Sequence, residues 1–335
     1  MKRIDHCAFN GDADGLCALQ QLRLAGELAA DVQLVSGVKR DIALLQRVRA
    51  GAGDRVTVLD ISHTQNHEDT RRLLDAGASI RYFDHHHAGE LPAHPAFEFF
   101  IDTAAEVCTS ILVDRHLAGR HHRWAVAAAF GDGLAGPARA LAQRHGLADG
   151  EVAALEELGL LLNYNAYGES LADLHFDPLA LAGELLPYAD PLDFIRDSAS
   201  FATLRAAHAA DMAAAQGQRS WREGPGAVLY RLPAEAWARR VSGVLANQLA
   251  SREPQRAIGL LRAKADGGWL FSLRVPAASA LPADVFCRGF ATGGGRARAA
   301  GINHLDEAHL DELAERLLAS FPQKAATTAA EEASE

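Results

Sequence analysis

Along the first hundred residues the hydrophobic positions switch between two periods. Short β-type runs at residues 4–9, 32–36, 55–61, 80–83 and 97–101 alternate with helical patterns at 16–25, 42–48 and 68–76. Strand, helix, strand in succession predicts right-handed crossovers feeding a mostly parallel, doubly wound sheet. The runs VTVLDI and RYFDH end in polar residues, and an open sheet of this kind collects ligands at the carboxyl ends of its strands. From about residue 104 to 216 the pattern is helical and rich in Ala and Leu, with apolar stripes at 104–116, 124–130, 137–144, 151–162 and 203–216. Such stripes read as core packing. Pro187 and Pro191 interrupt the region, and WREGPG near residue 221 reads as a boundary. Beyond it, β runs at 227–231, 257–261 and 269–275 accompany helices at 237–251 and 306–320. The expected organisation is an α/β domain with a helical extension over residues 1–185, a helical linker over 186–222 and a smaller α/β domain over 223–322. A low-complexity tail over 323–335 is expected to be disordered.

Composition narrows the function classes. The 335 residues are 49% hydrophobic with a formal net charge of −10, and mean hydropathy is −0.06. A protein that coats long duplex DNA usually carries a basic stripe and a high pI, and the sequence pI here is about 5.8. Short or small phosphate substrates stay open. No run of 18 apolar residues lacks a charge, so no membrane-spanning helix is expected. The start, MKRIDHCAF, has no apolar core of a signal peptide. Cys7, Cys17, Cys108 and Cys287 are scattered and form no CxxC pair, which fits a reducing cytoplasm. Histidine is the unusual component: ten of the 15 fall within the first 122 residues, and imidazole serves as metal ligand and as acid or base near neutral pH.

Four segments carry candidate chemistry. Asn10-Gly11-Asp12-Ala13-Asp14-Gly15 follows the first strand directly, so its two carboxylates can face one cavity. A turn with Asp14 as helix cap would use the same residues. Asp60 ends VTVLDI, where a buried carboxylate is costly unless it is paired or metal-bound. It could also serve as a cap, with Ser62 and Thr64 as rivals. Asp84-His85-His86 ends the next strand with His87 following, a ligand set suited to ions such as Mn2+; a polar surface loop is the plainer alternative. Asp132 lies between two glycines in FGDG, a sequence that also suits a tight turn. Asp12, Asp14, Asp60, His85 and Asp132 could all meet at one sheet edge, enough ligands for two divalent ions sharing a carboxylate.

Other features are less specific. Lys39-Arg40 could reach the rim of such a site or begin a solvated helix. Tyr164 or Tyr167 could stack on a base, with helix-end packing the plainer reading. Arg120-His121-His122-Arg123 reads as an exposed basic loop.

The order DADG, VLDIS, FDHHH, FGDG resembles the DHH phosphoesterase superfamily over residues 4–135. SLRV at 272–275 and GFATGGGRARAAG at 289–301 resemble the glycine-rich DHH-associated domain. The resemblance implies Asp60 bridging two Mn2+ ions, with Mg2+ as the alternative. Asp12 would complete the first site, and Asp14, His85 and Asp132 the second. His86 would lie near the scissile phosphate and Asp84 would orient histidine. Gly293, Gly294, Gly295, Arg274 and Arg296 would bind substrate, since successive glycines let amides approach a phosphate and arginine grips one bidentately. Two departures stand out. Asn10 and Ala8 occupy positions where many relatives carry histidine or aspartate, so the first site has only the weaker amide oxygen of Asn10. Arg296 replaces the histidine of GGGH, which favours binding over proton exchange.

The implied activity is metal-dependent hydrolysis of short nucleotide-derived phosphodiesters: short oligonucleotides, cyclic dinucleotides or nucleoside bisphosphates. A RecJ-like single-strand exonuclease and a nucleotide sensor with little catalysis are the alternatives. The expected partners are a small nucleotide or short oligonucleotide, with no long duplex DNA and no membrane, and the resemblance suggests a homodimer.

Overall fold

A computed structural model describes residues 3–265 and 267–322 of the chain; the expected tail at 323–335 lies outside them. The chain divides into two compact units at the Ala209–Ala210 bond, within a helix rather than at WREGPG.

In the first unit the elements run β1 (Asp5–Phe9), α1 (Ala13–Leu24), β2 (Gln33–Val35), β3 (Arg55–Leu59), α2 (His63–Asp75), β4 (Ser79–Asp84) and β5 (Phe97–Ile101). Helices α3 (Thr109–His116), α4 (His122–Gly131), α5 (Ala135–Arg144), α6 (Asp149–Ala166), α7 (Pro178–Leu185), α8 (Pro191–Asp197) and α9 (Ala199–Gln216) follow. The five strands form one sheet in the order β2-β1-β3-β4-β5, and every pairing is parallel. The expected doubly wound sheet is therefore present. One face packs Ala8, Val56, Val58, Ile80 and Tyr82 against Leu73 and Leu74 of α2 and against Leu44, Leu45 and Val48. On the other side α1 packs against α3, α4 and α6. The run at 42–48 does not form the expected α-helix but a 3-10 turn at Leu44–Arg47. There Asn66 of α2 accepts from the Leu45 amide, and a backbone donor bonded from outside is not available to an α-helical turn.

The strand order reverses between β1 and β3. A crevice opens at such a switch point, outside the carboxyl ends of the strands. Asp12 follows β1 and Asp60 follows β3, so the fold alone puts both carboxylates there.

Helices α4 and α6 cross with their backbones in contact. A methyl group on Gly159 would stand 2.0 Å from the Ala127 carbonyl oxygen, and one on Gly131 would stand 2.5 Å from the Ala13 side chain. Glycine is needed at this crossing because two main chains meet, and the crossing fixes the end of α4, where Asp132 begins the next turn. Gly159→Ala should cost about 1–3 kcal/mol by overpacking, seen as a lowered melting temperature. Gly183→Ala, in α7 with open space around it, should be neutral or stabilising by up to about 1 kcal/mol. Equal effects at the two positions would contradict the close-approach account.

The second unit contains β6 (Ser220–Glu223), β7 (Ala227–Leu232), α10 (Ala236–Arg252), β8 (Ala257–Ala263), β9 (Trp269–Arg274), α11 (Ala283–Cys287), β10 (Gly293–Arg296), β11 (Ala299–Leu305) and α12 (Leu310–Ser320). Its sheet has the order β10-β11-β9-β8-β7-β6. WREGPG, expected as a boundary, contributes β6, which pairs with β7. The glycine-rich segment is not a loop but the edge strand β10, paired antiparallel with β11 from Gly293↔Ile302 to Arg296↔Ala299. Lacking side chains, these residues fit close quarters: a methyl on Gly293 would overlap the Cys287 carbonyl, at 1.6 Å from its oxygen, and Gly295 has φ +142°. Only Gly294 of the three faces open space.

Candidate active site

The carboxylates after β1 are held in place by backbone amides. Asp12 caps α1, its Oδ1 accepting from the amides of Asp14 and Gly15 at 3.1 and 3.2 Å. The cap is thus Asp12, not Asp14. Asp14 reaches instead to the start of α3. Its Oδ2 accepts from the Thr109 amide and its Oδ1 from the Ser110 amide, both at 2.7 Å. Free amides and the positive end of the helix dipole favour a negative charge there.

Asp60 is buried and has φ +59°. A non-glycine residue in the left-handed region is strained, and such strain concentrates at functional sites. The turn is not a helix cap, since Ser62 takes that position for α2. It carries Asp60 into the crevice, where its Oδ1 accepts from Thr109 Oγ1 at 3.2 Å. Burial and the surrounding carboxylates of Asp12, Asp14, Asp132 and Asp84 push its carboxyl well above the ordinary range. Burial, then Asp14, likewise raises Asp132.

The two histidines after β4 have different anchors. His85 Nδ1 lies 3.0 Å from the Val107 carbonyl. With the ring's proton on that nitrogen, Nε2 is left as a lone-pair donor. Nε2 lies 3.4 Å from Asp60 Oδ1, 3.6 Å from Asp132 Oδ2 and 4.0 Å from Asp14 Oδ2. His86 Nδ1 lies 2.7 Å from Asp84 Oδ1 and 3.9 Å from Asp60 Oδ1. The hydrogen bond to buried Asp84 raises the His86 pKa. Asp84 therefore orients His86, whereas a backbone carbonyl orients His85. Among the described residues, two groups have ligand atoms close enough to share a metal ion: Asp14, His85 and Asp132, and Asp60, His85 and His86.

Lys39, a rim residue or solvated helix start in sequence terms, sits inside the cluster. Its Nζ is 2.5 Å from Asp12 Oδ2 and 3.8 Å from Asp132 Oδ1. Burial alone would raise the Asp12 pKa; the Lys39 ammonium and the Gly15 amide overcome it and hold the carboxyl below its usual range. Asn10 lies beside this group in sequence, and its Oδ1 is buried with no hydrogen-bond partner among the described residues.

Three contributors escaped the sequence reading. Thr109 binds both Asp14 and Asp60. Val107 contributes only its carbonyl. Asn163 on α6 accepts the Ala13 amide at 3.0 Å and donates to the Gly131 carbonyl, joining α1, α4 and α6 beneath the site. Asn163 stands next to Tyr164 in the polar, aromatic stretch at 163–169; Thr109 and Val107 had no such signal. Tyr164 is not available to stack on a base: it is buried, with its hydroxyl 2.7 Å from His175 Nε2. Arg120–Arg123 is not a free basic loop, because Arg123 pairs with Glu151 and Asp190 and the segment leads into α4.

In the second unit Arg274 donates from Nε to Asn247 Oδ1 at 2.8 Å and from a terminal nitrogen to the Leu273 carbonyl. Its burial lowers the guanidinium pKa. Arg296 is exposed at the end of β10. Among the described residues no helix is long and apolar enough to cross a membrane.

No family model and no curated protein matches the chain. Solved structures do. An exonuclease RecJ bound to manganese is similar at 20% identity and TM-score 0.62, over 96% of this chain and 91% of that one. A pGpG-specific phosphodiesterase, PggH from Vibrio cholerae, is similar at 16% identity and TM-score 0.59, over 95% and 98%. The RecJ of Thermus thermophilus, in complex with Mn2+, is similar at 19% identity and TM-score 0.54; this chain is covered to 96% and spans about half of that one, 53%. With DADG, VLDIS and FDHHH at the carboxyl ends of β1, β3 and β4 and FGDG at the end of α4, the chain shares the two-domain α/β fold of these RecJ and PggH structures.

Proposed function

We propose that the chain is a divalent-metal-dependent phosphoesterase that hydrolyses short nucleotide-derived phosphodiesters. The observation that carries this is the convergence of Asp14, Asp60, Asp132 and His85 Nε2 on one point at the switch of strand order, with Asp60 held there in a strained turn. Four carboxylates, counting Asp12, crowd one crevice with the Lys39 ammonium among them, and such a cluster calls for further positive charge. The donor set is oxygen and imidazole, which suits Mn2+ or Mg2+. When bound, such an ion supplies positive charge toward a phosphate and acidifies water.

The chain's own groups do the rest. His85 Nε2 and the Asp14, Asp60 and Asp132 carboxylates would hold the ion. The Val107 carbonyl keeps His85 in the correct tautomer. His86 lies on the solvent side of the carboxylates, and its hydrogen bond to Asp84 raises its pKa and so favours the imidazolium. Its task is to donate a proton to the leaving oxygen as the oxygen of a water bonds to phosphorus and the bond from phosphorus to the leaving oxygen breaks.

The likeness to PggH, a pGpG-specific phosphodiesterase, supports a short substrate. The RecJ likeness supports a second reading, a single-strand exonuclease, against which stands the net charge of −10. A panel of dinucleotides, short oligonucleotides, cyclic dinucleotides, nucleoside bisphosphates and long single strands, each with Mn2+, Mg2+ or chelator, tests both. The expected result is turnover of the short diesters with Mn2+ and none with chelator. Preferential digestion of long single strands would replace this reading by the exonuclease. No turnover of any member would leave a nucleotide sensor.

A further inference from the structure

We propose that the ammonium group of Lys39 itself holds the first of the two cation positions implied by the superfamily's motifs. The chain then binds one divalent ion, at Asp14, Asp60, His85 and Asp132. This rests on the metal-dependent reading above and makes it more specific.

The first position would be built from Asp12, Asp60 and Asn10, and these residues do not fit a dication. Asp12 Oδ1 is engaged by two amides of its own helix, and Oδ2 meets the Lys39 ammonium at 2.5 Å. Asn10 offers a neutral oxygen, and Ala8 offers none. Among the described residues, neither ligand group of three contains Asp12. The second position, by contrast, has an imidazole nitrogen and three carboxylates around it.

Lys39 is held where it is from several directions. Its amide donates to the Ala166 carbonyl at 3.2 Å. Its ammonium lies 5.7 Å from the centre of the Tyr167 ring, within reach of a cation–π attraction. Asp132 Oδ1 lies 3.8 Å away on the other side. A dication beside Asp12 would have to expel this charge against all of these contacts, because like charges at such separations repel strongly. Lysine binds phosphate as a point charge, so a fixed ammonium here can serve the substrate as a second ion would.

The count of bound ions decides the matter. Full-length chain stripped by chelator is dialysed to equilibrium against saturating Mn2+, and Mn2+ per chain is measured by mass spectrometry. Electron paramagnetic resonance then reports whether ions lie about 3.5–4 Å apart, as in two-metal sites. The expected result is one uncoupled ion in the wild type and in Lys39→Arg, and a second, weaker and magnetically coupled ion in Lys39→Met. Two ions in the wild type would overturn the assignment of Lys39 while leaving the metal-dependent reading intact. A single ion in folded Lys39→Met would overturn it too, since the ammonium would then not be what excludes the second. No bound ion at all would overturn the metal-dependent reading itself. Should Lys39→Met fail to fold, the wild-type count decides by itself.

Discussion

Asp60→Asn should lower turnover by about 10³-fold, the upper range for loss of a charge that stabilises a transition state, and at the same time raise the melting temperature of the metal-free protein. The two effects have one cause. Asp60 is a buried carboxylate among four others, an arrangement useful to a cation and unfavourable without one. Asparagine keeps the shape, accepts the Thr109 hydroxyl, and is among the few residues at ease with φ near +59°. The sign can be checked against pH. A carboxyl whose folded pKa is raised above its ordinary 3.8 binds a proton in the folded state that the unfolded chain has released. Metal-free wild type should therefore lose stability as pH rises through the range above 3.8, and Asp60→Asn should lack that contribution. Melting curves in chelator from pH 4 to 8 test it. Asp60→Ala should melt below Asp60→Asn, since alanine disfavours the left-handed turn by about 1–2 kcal/mol. A variant Asp60→Asn that melts lower than wild type without metal would make Asp60 a structural residue rather than a ligand.

Neighbouring histidines should fail in different ways. His85→Ala should weaken Mn2+ binding by more than the roughly 10–100-fold that loss of an outer partner costs, with activity lost alongside it. His86→Ala should leave Mn2+ affinity within a few-fold and lower kcat by about 10²–10⁴, the usual contribution of a general acid. The distinction rests on their anchors. His85 faces the carboxylates with its far nitrogen because the Val107 carbonyl takes the near one, whereas His86 turns its near nitrogen to Asp84. Titration calorimetry with Mn2+ and steady-state kinetics separate the two. If His86→Ala weakens metal binding as much as His85→Ala does, the ion belongs between Asp60 and both histidines, the other group the geometry allows.

Much of the first sheet could be read from hydrophobic period alone. The run at 97–101 is β5 and the run at 55–61 contains β3; β3 is buried at the centre of the sheet and so reads as an almost unbroken apolar run, while the edge strand β5 exposes Glu98 and Phe99. Helices α7 and α8 went unread, since each is about two turns long and opens on a proline that looks like a break. Proline suits the first turn of a helix as well as its end. The glycine segment at 293–295 misled for a related reason. Glycine is compatible with a phosphate loop and with a crowded edge strand, and only the nearness of the Cys287 carbonyl distinguishes them. The cluster was legible in its carboxylates and imidazole and not in the groups that support them. Asp12, Asp14, Asp60, His85 and Asp132 announced themselves because charged groups at the ends of apolar runs are costly without a partner. Thr109 and Val107 did not, because a hydroxyl and a main-chain carbonyl occur everywhere.

By itself, then, the sequence determined which side chains would meet and at which edge of the sheet. That follows from local pattern: strand ends, their order, and the polar residues stationed there. What each group does once there was decided only by the tertiary structure. Asp14 is fixed by the start of a helix 95 residues away, and Asp12 by a lysine 27 residues away. The choice between a metal ion and an ammonium as the partner of Asp12 is made by how closely the chain after β2 passes the end of β1. The reason is physical: a hydrogen bond or ion pair depends on distances of a few ångströms between segments far apart in the chain, and no local pattern of residues records them.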